Sequence, residues 1–271
     1  MKPLTTRILS AIIFGPILLI CAYFGGIPLQ ILISILSIFG IKEFCLLVRK
    51  NKNIEINWWI VATFGLMINW FIFFFGLNYI ISLFIVFIIL SIGYDVFSNK
   101  INQTSERIAF TIFALIYIPL LLEFLFLITN FEDGNFLFIF LMVLIWITDT
   151  AAYFIGAKFG KHRNIFRASE KKSAEGFLAG ILSAFIFAYL INLIVNSVAN
   201  INLLTQTDIL IYGVIVGIFG QLGDLIESTI KRDFQVKDTS NLIPGHGGIL
   251  DRFDSLMISA PLLYFYLNFI R

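Results

Sequence analysis

The chain has 271 residues, of which 59% are hydrophobic, 16% aromatic and only 13% charged, and its formal net charge is +2. Charge this sparse excludes an ordinary soluble domain, and apolar runs near the bilayer-spanning length recur along the whole sequence. The expected fold class is all-α, a polytopic integral membrane protein with about nine transmembrane helices, and no nucleic-acid partner is expected.

In chain order the expected spans are 8–24, 29–48, 58–75, 79–97, 108–129, 136–157, 175–197, 208–230 and 255–270. Local breakers separate them: Gly25-Gly26 with Pro28, the polar stretch 51–57, Gly76-Leu77-Asn78, the stretch 98–107, and Glu132-Asp133-Gly134. The last span has 16 residues, about 24 Å at a 1.5 Å rise, so it is expected to begin inside the Gly247–Asp254 turn. Lys2 and Arg7 ahead of Ile8–Phe24 imitate a signal peptide. No small-x-small cleavage pattern comes after it, and Ile20 before Cys21 is too large for lipoprotein processing, so this reads as a retained first helix. Cys21 and Cys45 lie in spans at opposite membrane faces, which makes them packing residues rather than a disulfide or a thiol metal site. No internal repeat of fixed period or low-complexity tract is present. The expectation is one membrane domain, 1–271, with N-terminal helices over 1–130 and catalytic helices and loops over 136–271.

Loop charge sets the expected orientation. With nine spans, 18 of the 19 basic residues fall on one side, from Lys2 and Arg7 through Lys100 and Arg107 to Lys237 and Arg252, and only Arg271 falls opposite. The N-terminus and the two polar loops of the C-terminal half are therefore expected in the cytoplasm, at the plasma (inner) membrane, and the C-terminus outside.

Two stretches carry chemistry. The first, Trp146–Gly176, has Asp149 inside a span and then Lys158, Lys161, Arg163, Arg167, Lys171 and Lys172. Its plain reading is positive-inside charge against anionic lipid. Gly156-x3-Gly160-Lys161-His162 has the wrong spacing for a Walker loop and lacks the hydroxyl residue after Lys. The second stretch is Gly217–Asp254. Gly213, Gly217, Gly220 and Asp224 fall on one helical face, continued by Ser228 and Lys231 with Glu227 beside it. A glycine stripe admits a neighbouring helix, so the acids are expected to face protein, and an interhelical hydrogen-bond cluster is the plain alternative. The acids, the Lys231-Arg232 pair, the Pro244–Gly248 turn and Asp251-Arg252-Phe253-Asp254 together supply hard oxygens for a divalent metal, cations for phosphates and a backbone that a phosphate can approach.

Here a resemblance becomes specific. Ser228-x-Ile230-Lys231-Arg232-x4-Lys237-Asp238, followed by Pro244-x-His246-Gly247-Gly248-Ile249-x-Asp251-Arg252-Phe253-Asp254, resembles the signature of the phosphatidate cytidylyltransferases (CDP-diacylglycerol synthases). Asp149-Thr150-x-Ala152-Tyr153 and Ser169-x-Lys171-Lys172-Ser173-x-Glu175-Gly176 resemble two further elements of that family, with Glu170 where Pro is usual and Ser173 where Thr is. The resemblance covers the C-terminal half; residues 1–140 match only in being hydrophobic.

The resemblance implies transfer of a cytidylyl group from CTP to phosphatidic acid, giving CDP-diacylglycerol and pyrophosphate. It implies catalytic roles for Asp149, Asp224, Lys231, Arg232 and Asp251, with Asp224 and Asp251 holding Mg²⁺ (Mn²⁺ substituting) and room for a second cation. Substrate contacts are implied for Lys171, Lys172, Ser173 and Glu175 in the first stretch. In the second they are implied for Glu227, Ser228, Lys237, Asp238, His246, Gly247, Gly248, Arg252 and Asp254. A homodimer is compatible with these features. His162 and His246 sit in different loops, which argues against zinc, and the Phe residues read as packing and lipid-facing surface. Glu43, Asp95 and Glu123 are acids without a motif; Glu43 and Asp95 lie near the cytoplasmic face. Two alternatives stay open: a related CTP-dependent enzyme acting on another lipid phosphate or a polyprenol, and an ion-coupled transporter or channel. An alcohol phosphotransferase is disfavoured because its Asp-Gly-x2-Ala-Arg motif is absent.

Overall fold

The computed structural model describes residues 4–98, 102–199, 203–240, 242 and 247–271, with side-chain burial described from residue 14 and not for Ala199. Lys2 and Lys100, and the turn residues Pro244, Gly245 and His246, lie outside the described residues. Among the described residues the elements are helices: α1 Leu4–Phe24, α2 Gly26–Lys52, α3 Trp58–Phe75, α4 Ile80–Phe97, α5 Thr104–Leu115, α6 Leu121–Thr129, α7 Gly134–Phe159, α8 Ala174–Ala199, α9 Gln206–Val214, α10 Gln221–Asp233 and α11 Leu250–Phe269. Wider π turns, Ile116–Leu120 and Ile215–Gly220, join α5 to α6 and α9 to α10.

Seven stretches among the described residues are long and apolar enough to cross a membrane: Gly26–Lys52, Trp58–Phe75, Ile80–Phe97, Thr104–Thr129, Gly134–Phe159, Ala174–Val198 and Gln206–Asp233. The protein is thus a multi-pass, all-helical membrane protein, and the count of nine is not confirmed. In α1 only Phe14–Phe24 is described as apolar helix, which is short of a span. α11 is 20 residues long, but Asp251, Arg252 and Asp254 in its first turns, with Ser255, Ser259 and Asn268 beyond, make it too polar to join the seven.

The chain folds as two compact units, Met1–Leu127 with Phe234–Asp251, and Ile128–Asp233 with Arg252–Arg271. The linear order of the sequence gives no sign of the return of 234–251 to the N-terminal unit.

In that first unit Leu29, Ile33, Ile41, Phe44, Ile72, Leu115 and Ile118 form a fully buried core. A Cβ on Gly65 would stand 2.6 Å from Ile41 Cδ1, so α3 lies on α2 at a separation only glycine permits. Pro119 sits in the first π turn, where its missing N–H removes a helical bond and the backbone widens. The returning segment is anchored by Phe234, whose ring stands 5.9 Å from that of Phe44 and 6.0 Å from that of Phe110. Two acids without a motif find structural partners here. Asp95 takes a forked pair of bonds from Arg107, at 3.0 Å from Nε and 2.9 Å from Nη2. Glu123 is wholly buried and accepts from Asn69 Nδ2 at 2.6 Å and Gln30 Nε2 at 3.3 Å.

In the second unit α7 and α8 pack along their lengths, and Gly156 and Gly176 bring them together: a Cβ on Gly156 would stand 3.3 Å from the Gly176 Cα. Thr205 and Asp208 form a reciprocal capping box that starts α9. Tyr212, fully buried, donates to the Leu137 carbonyl at 3.0 Å. The expected single-face glycine stripe is divided. Gly213 packs on the Phe185 ring and Gly217 on Ile181 and Ala184 of α8, whereas Gly220 faces Ser259 of α11. The π turn at 215–220 is the cause, because its wider backbone rotates the next helical turns away from the 3.6-residue register.

Candidate functional site

α10 is the strongly two-sided helix of the second unit, with Gln221, Gly223, Leu225 and Glu227 buried and Asp224 half-exposed. Gly223 lets α11 approach closely, since a Cβ there would stand 2.5 Å from the Asp254 carbonyl and 2.9 Å from the Ser255 Cα. That contact brings Asp254 beside α10, where it shares a hydrogen bond with Glu227 and feels both Asp224 and Lys231. Removal from water, and next the Asp224 carboxylate, raise the Asp254 carboxyl above its ordinary value. Asp149 of α7 lies within electrostatic reach of Asp254, Asp224 and Lys172. Three helices thus deliver carboxylates to one place. Lys172 Nζ stands 2.6 Å from Asp224 Oδ2, Lys231 Nζ 3.3 Å from Glu227 Oε2, and Ser228 Oγ 3.4 Å from Asp224 Oδ1.

The loop after α7 is folded onto the start of α8 by its own polar groups. Ser173 is buried and accepts from Gly176 N at 3.1 Å, a side-chain cap on the first turn of α8. Glu175 accepts from the His162 backbone N–H at 3.2 Å and contacts its Nδ1 at 2.6 Å, while Arg163 and Ser173 form an isolated bridge. Gly160 admits Ser173, whose Oγ would lie 2.5 Å from a Cβ placed there. Ser173 and Glu175, expected at substrate, therefore also fix the loop that presents the exposed Lys171 and the half-buried Lys172. Arg232 Nε donates to the Ala168 carbonyl at 3.2 Å, tying the far end of α10 to the same loop. Beside that tie is an open groove of about 410 Å³, walled by Ile165, Phe166, Ala168 and Leu225 and carrying Arg167 and Arg232.

The first unit holds the other half of the expected residues, and there the acids face donors rather than other acids. Asp251 Oδ2 accepts from Thr239 N at 3.1 Å, Thr239 Oγ1 at 2.9 Å and Gly248 N at 2.9 Å. Glu43 of α2, 4% exposed, accepts from the Ile249 and Leu250 backbone N–H groups at 3.0 and 3.2 Å and from Ser240 Oγ, and Thr239 Oγ1 stands 3.4 Å from its Oε2. Gly247 has φ +89°, a conformation that side-chain-bearing residues rarely adopt. Gly248 has no room for a Cβ, which would run into Thr239 Oγ1 and stand 2.7 Å from Glu43 Oε2. Lys237, Asp238 and Arg252 are exposed.

The structure thus gathers Asp149, Lys172, Asp224, Glu227, Ser228, Lys231 and Asp254 in one unit, and Gly247, Gly248 and Asp251 in the other. His246 lies outside the described residues. Sequence reasoning missed Arg167 as a groove residue and Glu43 as the partner of the glycine turn. The only signal for Glu43 was a charge inside an apolar span.

Among the described residues no three His, Cys, Asp or Glu side chains converge as a ready cation cage. The donor set nevertheless fits a divalent cation. Four acids, Asp149, Asp224, Glu227 and Asp254, face two ammonium groups, Lys172 and Lys231, which leaves two negative charges over when all six are ionised. Their ligating atoms are hard carboxylate oxygens, the type that Mg²⁺ and Mn²⁺ take.

Comparison with known proteins bears on both units at once. A family model described as the cytidylyltransferase family matches residues 5–270. The phosphatidate cytidylyltransferase of Bacillus subtilis is 34% identical over 279 residues, covering 98% of each chain. That of Thermotoga maritima is 32% identical over 265 residues, covering 97% of this chain and 96% of its own. That of Staphylococcus epidermidis is 35% identical over 265 residues, covering 95% of each.

Proposed function

The chain belongs to the cytidylyltransferase family, and from that premise we propose that it transfers the cytidylyl group of CTP to phosphatidic acid, releasing pyrophosphate and leaving CDP-diacylglycerol in the membrane. The observation that carries this reading is near-full-length similarity to proteins of that name, joined to a cluster of carboxylates and ammonium groups at the ends of membrane-length helices.

In the reaction an oxygen of the lipid phosphate attacks the α-phosphorus of CTP, the bond from that phosphorus to the bridging oxygen breaks, and pyrophosphate departs with the electron pair. The nucleophile is already ionised near neutral pH, so no general base is required, and the task is to bring polyanions together and stabilise the leaving charge. Lys172, Lys231 and Arg232, with Lys237 and Arg252, would supply that charge. The groove at Arg167 and Arg232 suits the lipid: guanidinium groups for its phosphate and the Ile165, Phe166 and Leu225 walls for the first carbons of its tails.

Asp224 would hold a divalent cation, with Asp149 and Asp254 as further oxygen donors near it, and Asp251 is proposed as a cation ligand from the family resemblance. When bound, such a cation would neutralise nucleotide phosphate and stabilise departing pyrophosphate. The three bonds that Asp251 Oδ2 accepts fix its carboxylate in direction, as hydrogen-bond donors behind a metal ligand do. The excess of basic residues in the polar loops favours a cytoplasmic site, where CTP enters from water and lipid from the leaflet.

The test is turnover of purified protein with labelled CTP and a panel of acceptors. CDP-diacylglycerol and pyrophosphate formed in equal amounts from phosphatidate support the proposal. Product with a polyprenol phosphate alone would redirect it, and CTP-independent ion flux without product would overturn it.

A further inference from the structure

Glu43 comes from α2, 206 residues before Ile249, and belongs to none of the motif-bearing stretches. An acid this buried, at 4% exposure, normally answers a cation. It is met instead by hydroxyl and backbone donors from one short stretch: Thr239, Ser240, Ile249 and Leu250. Ile249 N is shared between both carboxylate oxygens at 3.0 Å, and Leu250 N reaches Oε2 at 3.2 Å. These amides belong to the entry of α11, where helical N–H groups have no partner of their own. A carboxylate there also suits the positive end of the helix dipole. Thr239 Oγ1 is hydrogen-bonded to Asp251 Oδ2 at 2.9 Å and stands 3.4 Å from Glu43 Oε2, so one hydroxyl lies between the two acids. Gly248 completes the fit, since any side chain there would push into Thr239 and Glu43.

We propose that Glu43 is a positioning residue for the reaction: it clamps Thr239 and Ser240 to the Ile249–Leu250 entry of α11 and so sets the direction of Asp251. This rests on the functional reading above, yet the clamp can be tested without it. Glu43 acts through Thr239 and the α11 entry rather than on substrate. Gln in its place keeps the size but turns an NH₂ toward groups that need an acceptor, so about half of the clamp is lost.

The experiment compares full-length wild-type, Glu43→Gln, Glu43→Asp and Ser240→Ala proteins in detergent, by hydrogen exchange of peptides covering 239–250 and by turnover with CTP and phosphatidate. Glu43→Gln is expected to speed exchange at the Ile249 and Leu250 amides about tenfold or more and to lower kcat by a similar factor, for loss of charge-assisted bonds. The KM for lipid should change less than about threefold, because the groove at Arg167 is not built from this turn. Glu43→Asp restores part of both losses, and Ser240→Ala gives a smaller change in each. Unchanged exchange in Glu43→Gln overturns the clamp whatever its activity, and faster exchange with wild-type kcat overturns the positioning role. Should Glu43→Gln not fold, Ser240→Ala decides alone, and no change in either readout overturns the proposal. Should the wild type form no CDP-lipid, the functional reading fails while the exchange comparison still decides the clamp.

Discussion

The two units use their acids in opposite ways. In the first, Glu43, Asp95, Glu123 and Asp251 each accept bonds from donors that belong to the fold: backbone N–H groups, hydroxyls, amides or the Arg107 guanidinium. In the second, Asp149, Asp224 and Asp254 lie within electrostatic reach of one another, with Lys172 and Lys231 in partial compensation. An acid surrounded by donors holds structure, whereas acids gathered against each other cost stability and await an external charge. The comparison separates acids held by donors of the fold from those proposed to take a ligand, although both kinds look alike in the sequence. Asp251 joins the two uses, with its direction set by the fold and its proposed role at the cation.

That division is broken or sharpened by substitution. The largest expected effect is at the proposed cation ligands: Asp224→Asn and Asp251→Asn should each lower turnover about a hundredfold or more, because the loss is of charge stabilisation in the reaction. Melting should be nearly unchanged in Asp224→Asn but lowered in Asp251→Asn, whose carboxylate also accepts three bonds of the fold. Full activity in either single variant would remove that residue from the cation site.

The opposite pattern is expected at Asp95. Its pair with Arg107 is nearly buried, at 6% and 13% side-chain exposure, so Asp95→Ala should strand the guanidinium and cost about 3–5 kcal/mol of stability. Turnover per folded molecule should hold, and replacing both residues with apolar ones should recover much of the stability. A kcat loss in well-folded Asp95→Ala would move this acid to the functional side.

Lys172→Ala should cost roughly 1.5–3 kcal/mol in activity, about ten- to a hundredfold, because Asp224 and the substrates lose a shared cation. Equal loss in Lys50→Ala, at an exposed lysine with no assigned role, would mean that overall positive charge, not this contact, is being read. The smallest effect is expected at Glu123. Gln is close to isosteric there and keeps an oxygen for Asn69 and Gln30, so Glu123→Gln should shift stability by less than about 1 kcal/mol and leave turnover intact.

Much of this was legible in the sequence, for physical reasons. Apolar runs of spanning length and local breakers located the seven membrane-length helices to within a few residues. Charge concentrated in Trp146–Gly176 and Gly217–Asp254 marked where ligands are expected, since a bilayer tolerates charge only for a purpose. The features that stayed hidden depend on backbone register and long-range closure. The π turns leave hydrophobicity unchanged, so the Gly213–Gly220 stripe looked like one face when it is divided between α8 and α11. α11 looked like a short span because its polar first turn was counted as loop. Glu43 meets the glycine turn across 206 positions, and nothing local to residue 43 announces that partner.

The central claim is that the gathered carboxylates hold a divalent cation for cytidylyl transfer. Its most direct measurement is formation of CDP-diacylglycerol from labelled CTP and phosphatidate by purified protein, before and after exhaustive chelation and on adding back Mg²⁺ or Mn²⁺. Turnover should vanish with EDTA and return with either ion in the wild type, but not in Asp224→Asn. Undiminished product in metal-free, chelated enzyme would contradict the claim.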